Sequence, residues 1–142
     1  MNAALLRTIQ ECREKEIRFH YAILGNVSGI DSLDMGNLVY NLLQNGIEAC
    51  CREGQERELE IVVRRERDVI EIETDNTITG SVLEKNPLLR TSKKEKEKHG
   101  FGMESIREIV EHYRGSYGCQ EENGRFLQRI TLRTESGKQE RP

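Results

Sequence analysis

Three asparagines recur at a spacing of four residues, at Asn37, Asn41 and Asn45. On an α-helix this spacing places them in one row along a single face. Asparagine is a poor residue for a helix interior, because its amide competes for backbone hydrogen bonds. Amide oxygens can ligate Mg²⁺, which in turn holds phosphate oxygens. The row therefore indicates either a Mg²⁺ and phosphate site at Asn41 and Asn45 or an ordinary solvated helix face.

A second candidate group lies at the end of a strand-like segment, in "IEIETDNTITG". Asp75 and Asn76 come where the alternation stops, and Gly80 follows in the loop. A carboxylate or amide at this point can accept a hydrogen bond from the exocyclic amine of a purine, while apolar side chains enclose the base. Asp-Asn is also a favoured pair in plain turns, and taken alone these residues favour a turn.

The third candidate group is a glycine pair, Gly100 and Gly102, that brackets a predicted helix start in "HGFGMESI". The first N–H groups of a helix lack internal partners and carry the positive end of its dipole, so they can accept a phosphate. The preceding loop, about 25 residues long and rich in lysine, could close over a polyphosphate. Such a lysine run is more often only solvated surface.

Length and composition limit the function classes. The 142 residues suffice for one domain, and the net charge of -3 gives no reason to expect nucleic acid or an anionic membrane as a partner. No apolar run approaches the roughly 20 residues that span a bilayer, so we expect no direct membrane contact. The four cysteines show no CxxC spacing, and we expect reduced thiols in a cytoplasmic chain rather than a zinc site.

Apolar periodicity predicts the elements that would position these groups. Helices are predicted over 3–16, over 33–52 and from Gly102 to a stop at Gly115. Strands are predicted over 17–24, 58–64, 68–74, 116–120 and 125–133, with turns at 65–67 and 121–124. Asp31 or Ser32 would cap the second helix, and Gly54 would close it. The order of elements predicts an α+β two-layer sandwich, with helices on one face of a mixed or antiparallel sheet.

The amide pair, the hairpin ending in Asp-Asn, the long loop and the glycine-flanked helix start together resemble the Bergerat-fold (GHKL) ATP-binding domain. Histidine kinases, DNA gyrase, the Hsp90 chaperone and the MutL repair proteins share that domain. "NLLQNGIEA", "TSKKEKEKHGFGMESIREIVEHYRG" and "FLQRITL" resemble the catalytic domain of sensor histidine kinases. The likeness is strongest to the quorum-sensing branch that includes the staphylococcal accessory-gene-regulator kinase. It covers about residues 17–133 and implies ATP and Mg²⁺ as cofactors.

The resemblance also implies roles for single residues. Asn45 resembles the Mg²⁺ ligand and Asn41 the upstream position that contacts phosphate, in a motif where Gly46 replaces the usual alanine. Asn76, and less clearly Asp75, resemble the adenine-contacting strand end, although "DNTITG" replaces the usual DxGxG. The remaining implied cofactor contacts belong to a lid over about 77–101 and to the glycine-rich segment at its end. They are Gly80, Lys93, Gly100, Phe101, Gly102 and Met103. Asn41 and Lys93 are the implied catalytic residues.

The resemblance favours phosphoryl transfer over hydrolysis. Hydrolytic relatives carry a glutamate as general base where this chain has Asn41, and an amide cannot take a proton at neutral pH. None of His20, His99 and His112 lies in the middle of a predicted helix, so we expect the acceptor histidine on a dimerisation domain absent from this chain.

We therefore expect a cytoplasmic catalytic domain over residues 17–134. Residues 1–16 would be a connector helix or a remnant of the dimerisation domain, and 135–142 a disordered tail. The parent would be a bacterial membrane sensor that signals to a response regulator. The alternative is a non-catalytic nucleotide-binding regulatory module or an anti-sigma-factor-type kinase.

Overall fold

The computed structural model describes residues 1–51, 56–80 and 101–134, without the side chain of Phe101. It contains three helices and five strands within these ranges. The helices are α1 (Asn2–Glu14), α2 (Ser32–Cys50) and α3 (Phe101–His112). The strands are β1 (Arg18–Leu24), β2 (Glu58–Glu66), β3 (Val69–Thr77), β4 (Ser116–Glu122) and β5 (Arg125–Arg133).

The strands form one mixed sheet in the order β1-β2-β3-β5-β4. β1 and β2 are parallel, and the other neighbouring pairs are antiparallel. α2 packs on β2 and β3, α3 packs on β4 and β5, and both α1 and α3 contact α2. This arrangement confirms the predicted α+β two-layer sandwich. Among the described residues, no helix is both long and apolar enough to cross a membrane.

The core lies between the helices and one face of the sheet. β3 shows the period-two pattern clearly, because Ile70, Ile72, Thr74 and Asn76 are all buried beneath the helices. The predicted inward face of α3 is also confirmed, with Met103, Ile106, Ile109 and Val110 buried. The opposite face of the sheet carries charged residues that pair across strands, such as Arg129 with Glu71 and Glu73.

The first turn of α2 is capped as expected. The Asp31 carboxylate accepts hydrogen bonds from the backbone N–H groups of Leu33 at 2.9 Å and Asp34 at 3.2 Å. These bonds satisfy two donors that a helix start leaves without internal partners. α2 ends at Cys50, two residues before its predicted end, and the predicted closing residue Gly54 lies outside the described residues.

Several predicted boundaries were wrong. β3 continues to Thr77, three residues beyond its predicted end, because both of its edges stay paired: Asn76 pairs with Leu59 of β2 and with Phe126 of β5. β2 likewise extends to Glu66, so its hairpin turn lies at 67–68. The β4–β5 turn is shorter than predicted and consists of Asn123 and Gly124, both with positive φ.

β1 is less buried than its alternating sequence predicts. Tyr21, on the face that the alternation predicts to be buried, is 52% exposed. The reason is position, since β1 lies at the edge of the sheet and pairs only with β2. The predicted lid residues 81–100, including Lys93 and Gly100, and the predicted tail 135–142 lie outside the described residues.

Gly115 lies where the chain leaves α3 and enters β4. A Cβ atom added there would lie 1.7 Å from the backbone oxygen of Thr131 and 2.8 Å from its carbonyl carbon. No side chain fits that distance, so only glycine allows the chain to approach β5 this closely. The helix-stop role predicted for Gly115 therefore has a tertiary cause as well as a local one.

Candidate functional site

The polar face of α2 forms the floor of an open cleft of about 590 Å³. Asn41, Gln44 and Asn45 are partly exposed on this face, whereas Leu42 and Leu43 are buried and do not line the cleft. The row of amides predicted from the spacing therefore faces the cleft. The third asparagine, Asn37, does not line it and lies beside the N-terminal half of α1.

The start of α3 lies directly over the two amides. A Cβ atom added at Gly102 would lie 3.5 Å from Oδ1 of Asn41 and 3.9 Å from Oδ1 of Asn45. The amide nitrogen of Asn45 donates a hydrogen bond to the sulfur of Met103, at 3.5 Å. Because the nitrogen of Asn45 faces Met103, its oxygen is the atom left to bind a cation. The structure thus brings together four of the predicted site residues, Asn41, Asn45, Gly102 and Met103.

Both ends of α3 are fixed relative to α2. At the far end, the Tyr113 hydroxyl donates to the Asp34 carboxylate at 2.6 Å and accepts from the Asp31 backbone N–H at 3.1 Å. Burial, followed by the bond to Asp34, raises the pKa of Tyr113 above its ordinary value. The contact of Gly102 with the asparagines is therefore supported from the opposite end of the helix.

Asn76 contributes a buried amide on the helix side of β3. Its side chain is 0% exposed, and its amide nitrogen donates to the backbone oxygen of Thr77 at 3.1 Å. Its oxygen has no hydrogen-bond partner among the residues that the structure describes. A buried polar atom left in this state costs about 1–3 kcal/mol. An N–H donor that reached this oxygen would remove that cost, although Asn76 itself is buried and does not line the cleft.

Gly46 explains how α2 comes close to this strand. A Cβ atom at Gly46 would lie 2.6 Å from Cδ1 of Leu59 and 3.4 Å from the oxygen of Asn76. The absence of a side chain lets the helix pack closely on Leu59 of β2 and on the Asn76 amide of β3. The sequence showed only that glycine replaces an alanine usual in the motif, and its packing role depends on the sheet.

Asp75 lies on the opposite face of β3 from Asn76, because successive side chains of a strand alternate. Its carboxylate accepts a hydrogen bond from Nε of Arg125 at 2.9 Å, and Arg125 also pairs with Glu58 at 2.6 Å. The structure therefore does not bring Asp75 together with the asparagines of the cleft, contrary to its predicted place beside Asn76. Gly80 is exposed beyond the end of β3.

A chain of hydrogen bonds runs through the core beside Asn76. The Tyr117 hydroxyl donates to Oε1 of Gln128 at 2.9 Å, and Nε2 of Gln128 donates to the Thr74 hydroxyl at 3.0 Å. Burial raises the pKa of Tyr117 well above its ordinary value, so this hydroxyl keeps its proton. Thr74 and Asn76 thus share one face of β3, but within the described ranges only Thr74 has a side-chain hydrogen-bond partner for its oxygen.

Glu11 of α1 and Lys15, which caps the C-terminus of α1, also line the cleft, and neither was predicted as a site residue. Gln44 donates to Oε1 of Glu11 at 2.8 Å, and Lys15 pairs with Oε2 of Glu11 at 3.1 Å. The hydrogen bond from Gln44 lowers the pKa of Glu11, and the bond to Glu11 raises the pKa of Lys15. The spacing of Glu11 and Lys15 predicts a helical ion pair, but only the packing of α1 on α2 places it at this site.

A family model described as the GHKL domain matches residues 30–133, most of the chain. The chain belongs to the GHKL domain family. A search of curated proteins found no match. The GHKL assignment agrees with the fold and covers every described residue of the cleft except Glu11 and Lys15.

Solved structures with the same fold include domains of histidine kinases. The nucleotide-free catalytic domain of histidine kinase ThkA has a TM-score of 0.73 at 15% identity, over 94% of this chain and 90% of that one. The mycobacterial sensor histidine kinase MprB has a TM-score of 0.64 at 15% identity, over 94% of this chain and 93% of that one. The histidine kinase domain of the Erythrobacter litoralis EL346 blue-light-activated kinase has a TM-score of 0.69 at 8% identity, over 96% of this chain and 61% of that one. At these identities the likeness shows the fold, which is consistent with an ATP-binding kinase domain.

Proposed function

We propose that this GHKL domain binds Mg-ATP and transfers its γ-phosphoryl group to a histidine on a dimerisation domain, as the catalytic domain of a two-component sensor histidine kinase. The observation that carries the proposal is the arrangement of three features around α2: the amide pair and the start of α3 at Gly102, which line one cleft, and the oxygen of Asn76, which lies beside Gly46 and has no hydrogen-bond partner among the described residues. Each feature alone has an ordinary structural explanation, but together they match the parts of a nucleotide.

The purine would bind at Asn76. Its amide nitrogen is held by the Thr77 carbonyl, which can only accept a hydrogen bond, so the oxygen is the atom presented to a ligand. An exocyclic amine of adenine is a donor that would satisfy this oxygen. The proposal therefore assigns the base contact to Asn76 and not to Asp75, whose carboxylate pairs with Arg125 on the other face of the sheet.

The phosphates would bind between α2 and the start of α3. The oxygens of Asn41 and Asn45 are hard ligands of the kind that Mg²⁺ takes, and both lie beside Gly102, within the first turn of α3. Bound Mg²⁺ would neutralise charge on the phosphates and orient them. Asn45 would hold the cation, and Asn41 would hold phosphate. The positive end of the α3 dipole would add to the binding.

The reaction needs no general base from this domain. The amide of Asn41 cannot take a proton, whereas the neutral imidazole of an acceptor histidine is already nucleophilic. Of the histidines within the described ranges, His20 lies on β1 and His112 ends α3. Neither has the mid-helix position expected of an acceptor. The domain would act by positioning ATP and stabilising charge.

The finer parts of the proposal are supported by sequence motifs. They comprise Mg²⁺ as the cation, contacts from Lys93, Gly100, Phe101 and Gly80, membership of the quorum-sensing branch, a response regulator as the downstream partner, and a cytoplasmic position in a bacterial membrane sensor. The support consists of "NLLQNGIEA" and the lysine-rich segment before "HGFGMESI". The predicted lid contacts at Lys93 and Gly100 lie outside the described residues.

Phosphoryl transfer tests the proposal directly. The chain is incubated with Mg-ATP labelled on the γ-phosphate and with the purified dimerisation domain of the same kinase. We expect acid-labile, base-stable label on one histidine of that domain, and none when Asn45→Ala replaces the wild-type chain. Nucleotide binding without any transfer would contradict the kinase assignment and favour a nucleotide-binding regulatory module.

A further inference from the structure

Lys15 is a cation placed at the edge of the cleft by an element outside the region that the GHKL model matches. Its side chain is 46% exposed, so a ligand can reach the ammonium group. It lies at the end of α1, which packs on α2 as α3 does. The cleft is thus lined both by Gly102, in the first turn of α3, and by Lys15.

The end of α1 is held firmly in this position. Nη1 of Arg57 donates to the backbone oxygen of Lys15 at 2.8 Å, and the Ile17 backbone N–H donates to the Cys12 oxygen at 2.8 Å. On the side facing α2, Gln44 donates to Glu11 at 2.8 Å. Lys15 is therefore presented from a fixed backbone, which reduces the entropy lost when its side chain binds a ligand.

The charge of the cleft indicates what Lys15 can bind. Its described lining contains two carboxylates, those of Glu11 and Glu48, and the single cation Lys15. Only one of the two carboxylates, Glu11, is paired with Lys15. A polyphosphate entering this cleft meets neutral amides and carboxylates that repel it. A contact with Lys15, which can leave Glu11, would therefore contribute more to the binding free energy here than on an open surface.

We propose that Lys15 binds a phosphate oxygen of the nucleotide, exchanging its ion pair with Glu11 for one with the polyphosphate. The inference rests on the proposed function, because it requires a nucleotide in this cleft. It gives α1 a part in nucleotide binding. A change in the position of α1 relative to α2 would then alter affinity for the nucleotide.

A purely structural role for the same residue makes a different prediction. A glutamate four residues before a lysine stabilises a helix by about 0.2–0.5 kcal/mol without any ligand. In that case, replacing Lys15 would lower stability slightly and leave nucleotide affinity unchanged. The two roles are separated by comparing ligands with and without phosphates.

The experiment measures binding of a non-hydrolysable Mg-ATP analogue and of adenosine to the wild-type chain and to Lys15→Gln, Lys15→Arg and Arg13→Gln. Arg13 is an exposed cation on α1 that does not line the cleft, so Arg13→Gln is the matched control for charge. We expect Lys15→Gln to weaken binding of the analogue about tenfold and to change adenosine binding less than about twofold. Lys15→Arg should restore most of the affinity, and Arg13→Gln should have no effect beyond about twofold.

Salt provides a second readout. The affinity of the wild-type chain for the analogue should fall more steeply with salt than that of Lys15→Gln, because a charged contact is lost in the variant. Equal affinities of wild type and Lys15→Gln, or an equal loss in Arg13→Gln, would overturn the inference while leaving the proposed function intact. Failure of the wild-type chain to bind the analogue would overturn both.

Discussion

Asn76→Leu should separate the binding role of this residue from any role in stability. Leucine is similar in shape to asparagine, so the substitution changes the polarity of the side chain more than its size. The substitution removes one hydrogen bond, from the amide to the Thr77 oxygen, worth about 1 kcal/mol. It also removes the buried oxygen without a partner, which costs about 1–3 kcal/mol in the ligand-free domain. The free energy of unfolding should therefore stay within about 1 kcal/mol of the wild type or increase by up to about 2 kcal/mol.

Nucleotide affinity should respond in the opposite way. Loss of the acceptor for the exocyclic amine leaves that amine buried without a partner, at a cost of about 1–3 kcal/mol, or about 5- to 150-fold in Kd. Thr74→Val is the matched control, two residues earlier on the same buried face of β3. It leaves Nε2 of Gln128 without its acceptor and should lower stability by about 1–3 kcal/mol, while Kd changes less than about threefold.

Urea unfolding without ligand and calorimetric titration with an ATP analogue measure the two quantities. We expect the two variants to differ in which quantity changes. Asn76→Leu should bind the nucleotide more weakly without losing stability, whereas Thr74→Val should be less stable and bind the nucleotide as the wild type does. An Asn76→Leu variant that is destabilised by more than about 3 kcal/mol and still binds with unchanged affinity would refute the reasoning.

Three further predictions follow from the structure. Gly115→Ala should lower the free energy of unfolding by about 3 kcal/mol or more, because the added Cβ would overlap the Thr131 oxygen. Gly118→Ala, where a Cβ meets open space, is the control and should be neutral or stabilising by up to about 1 kcal/mol. Equal effects of the two substitutions in urea unfolding would contradict this prediction. The hydrogen bond from Arg125 lowers the pKa of Glu58 below its ordinary value of 4.5, so the Glu58 carboxylate stabilises the fold above pH 4.5 and this contribution is lost as the pH falls through the lowered pKa. Glu58→Gln should therefore have a lower melting temperature than the wild type at pH 7. A difference in melting temperature that persists at pH 3 would be inconsistent with the ion pair. Asn45→Ala should remove most of the Mg²⁺ dependence of nucleotide binding, measured by titration with and without Mg²⁺, and an unchanged dependence would rule out Asn45 as the cation ligand.

Features set by local periodicity were predictable from the sequence. The spacing of Asn41 and Asn45 placed them on one face of α2, and the structure shows that this face is the open one. The cap at Asp31 and the buried face of α3 likewise depend only on residues within a few positions along the chain. The proximity of Gly102 to the amide pair was predicted only through the resemblance to a known fold.

Features set by the sheet were not predictable in the same way. Asp75 and Asn76 looked like the start of a loop, but pairing with β2 and β5 extends the strand through them and sends their side chains to opposite faces. The roles of Gly46 and Gly115 depend on how closely a helix or a connection approaches a strand distant in sequence. Lys15 belongs to the site because α1 packs on α2, and its own sequence shows only a helical ion pair.

The central claim is that the cleft between α2 and α3 binds Mg-ATP. Calorimetric titration of the wild-type chain with a non-hydrolysable ATP analogue, with and without Mg²⁺, tests it most directly. We expect saturable binding of one nucleotide per chain that is tighter with Mg²⁺ and is weakened by Asn76→Leu. An absence of binding at millimolar analogue, in either condition, would contradict it.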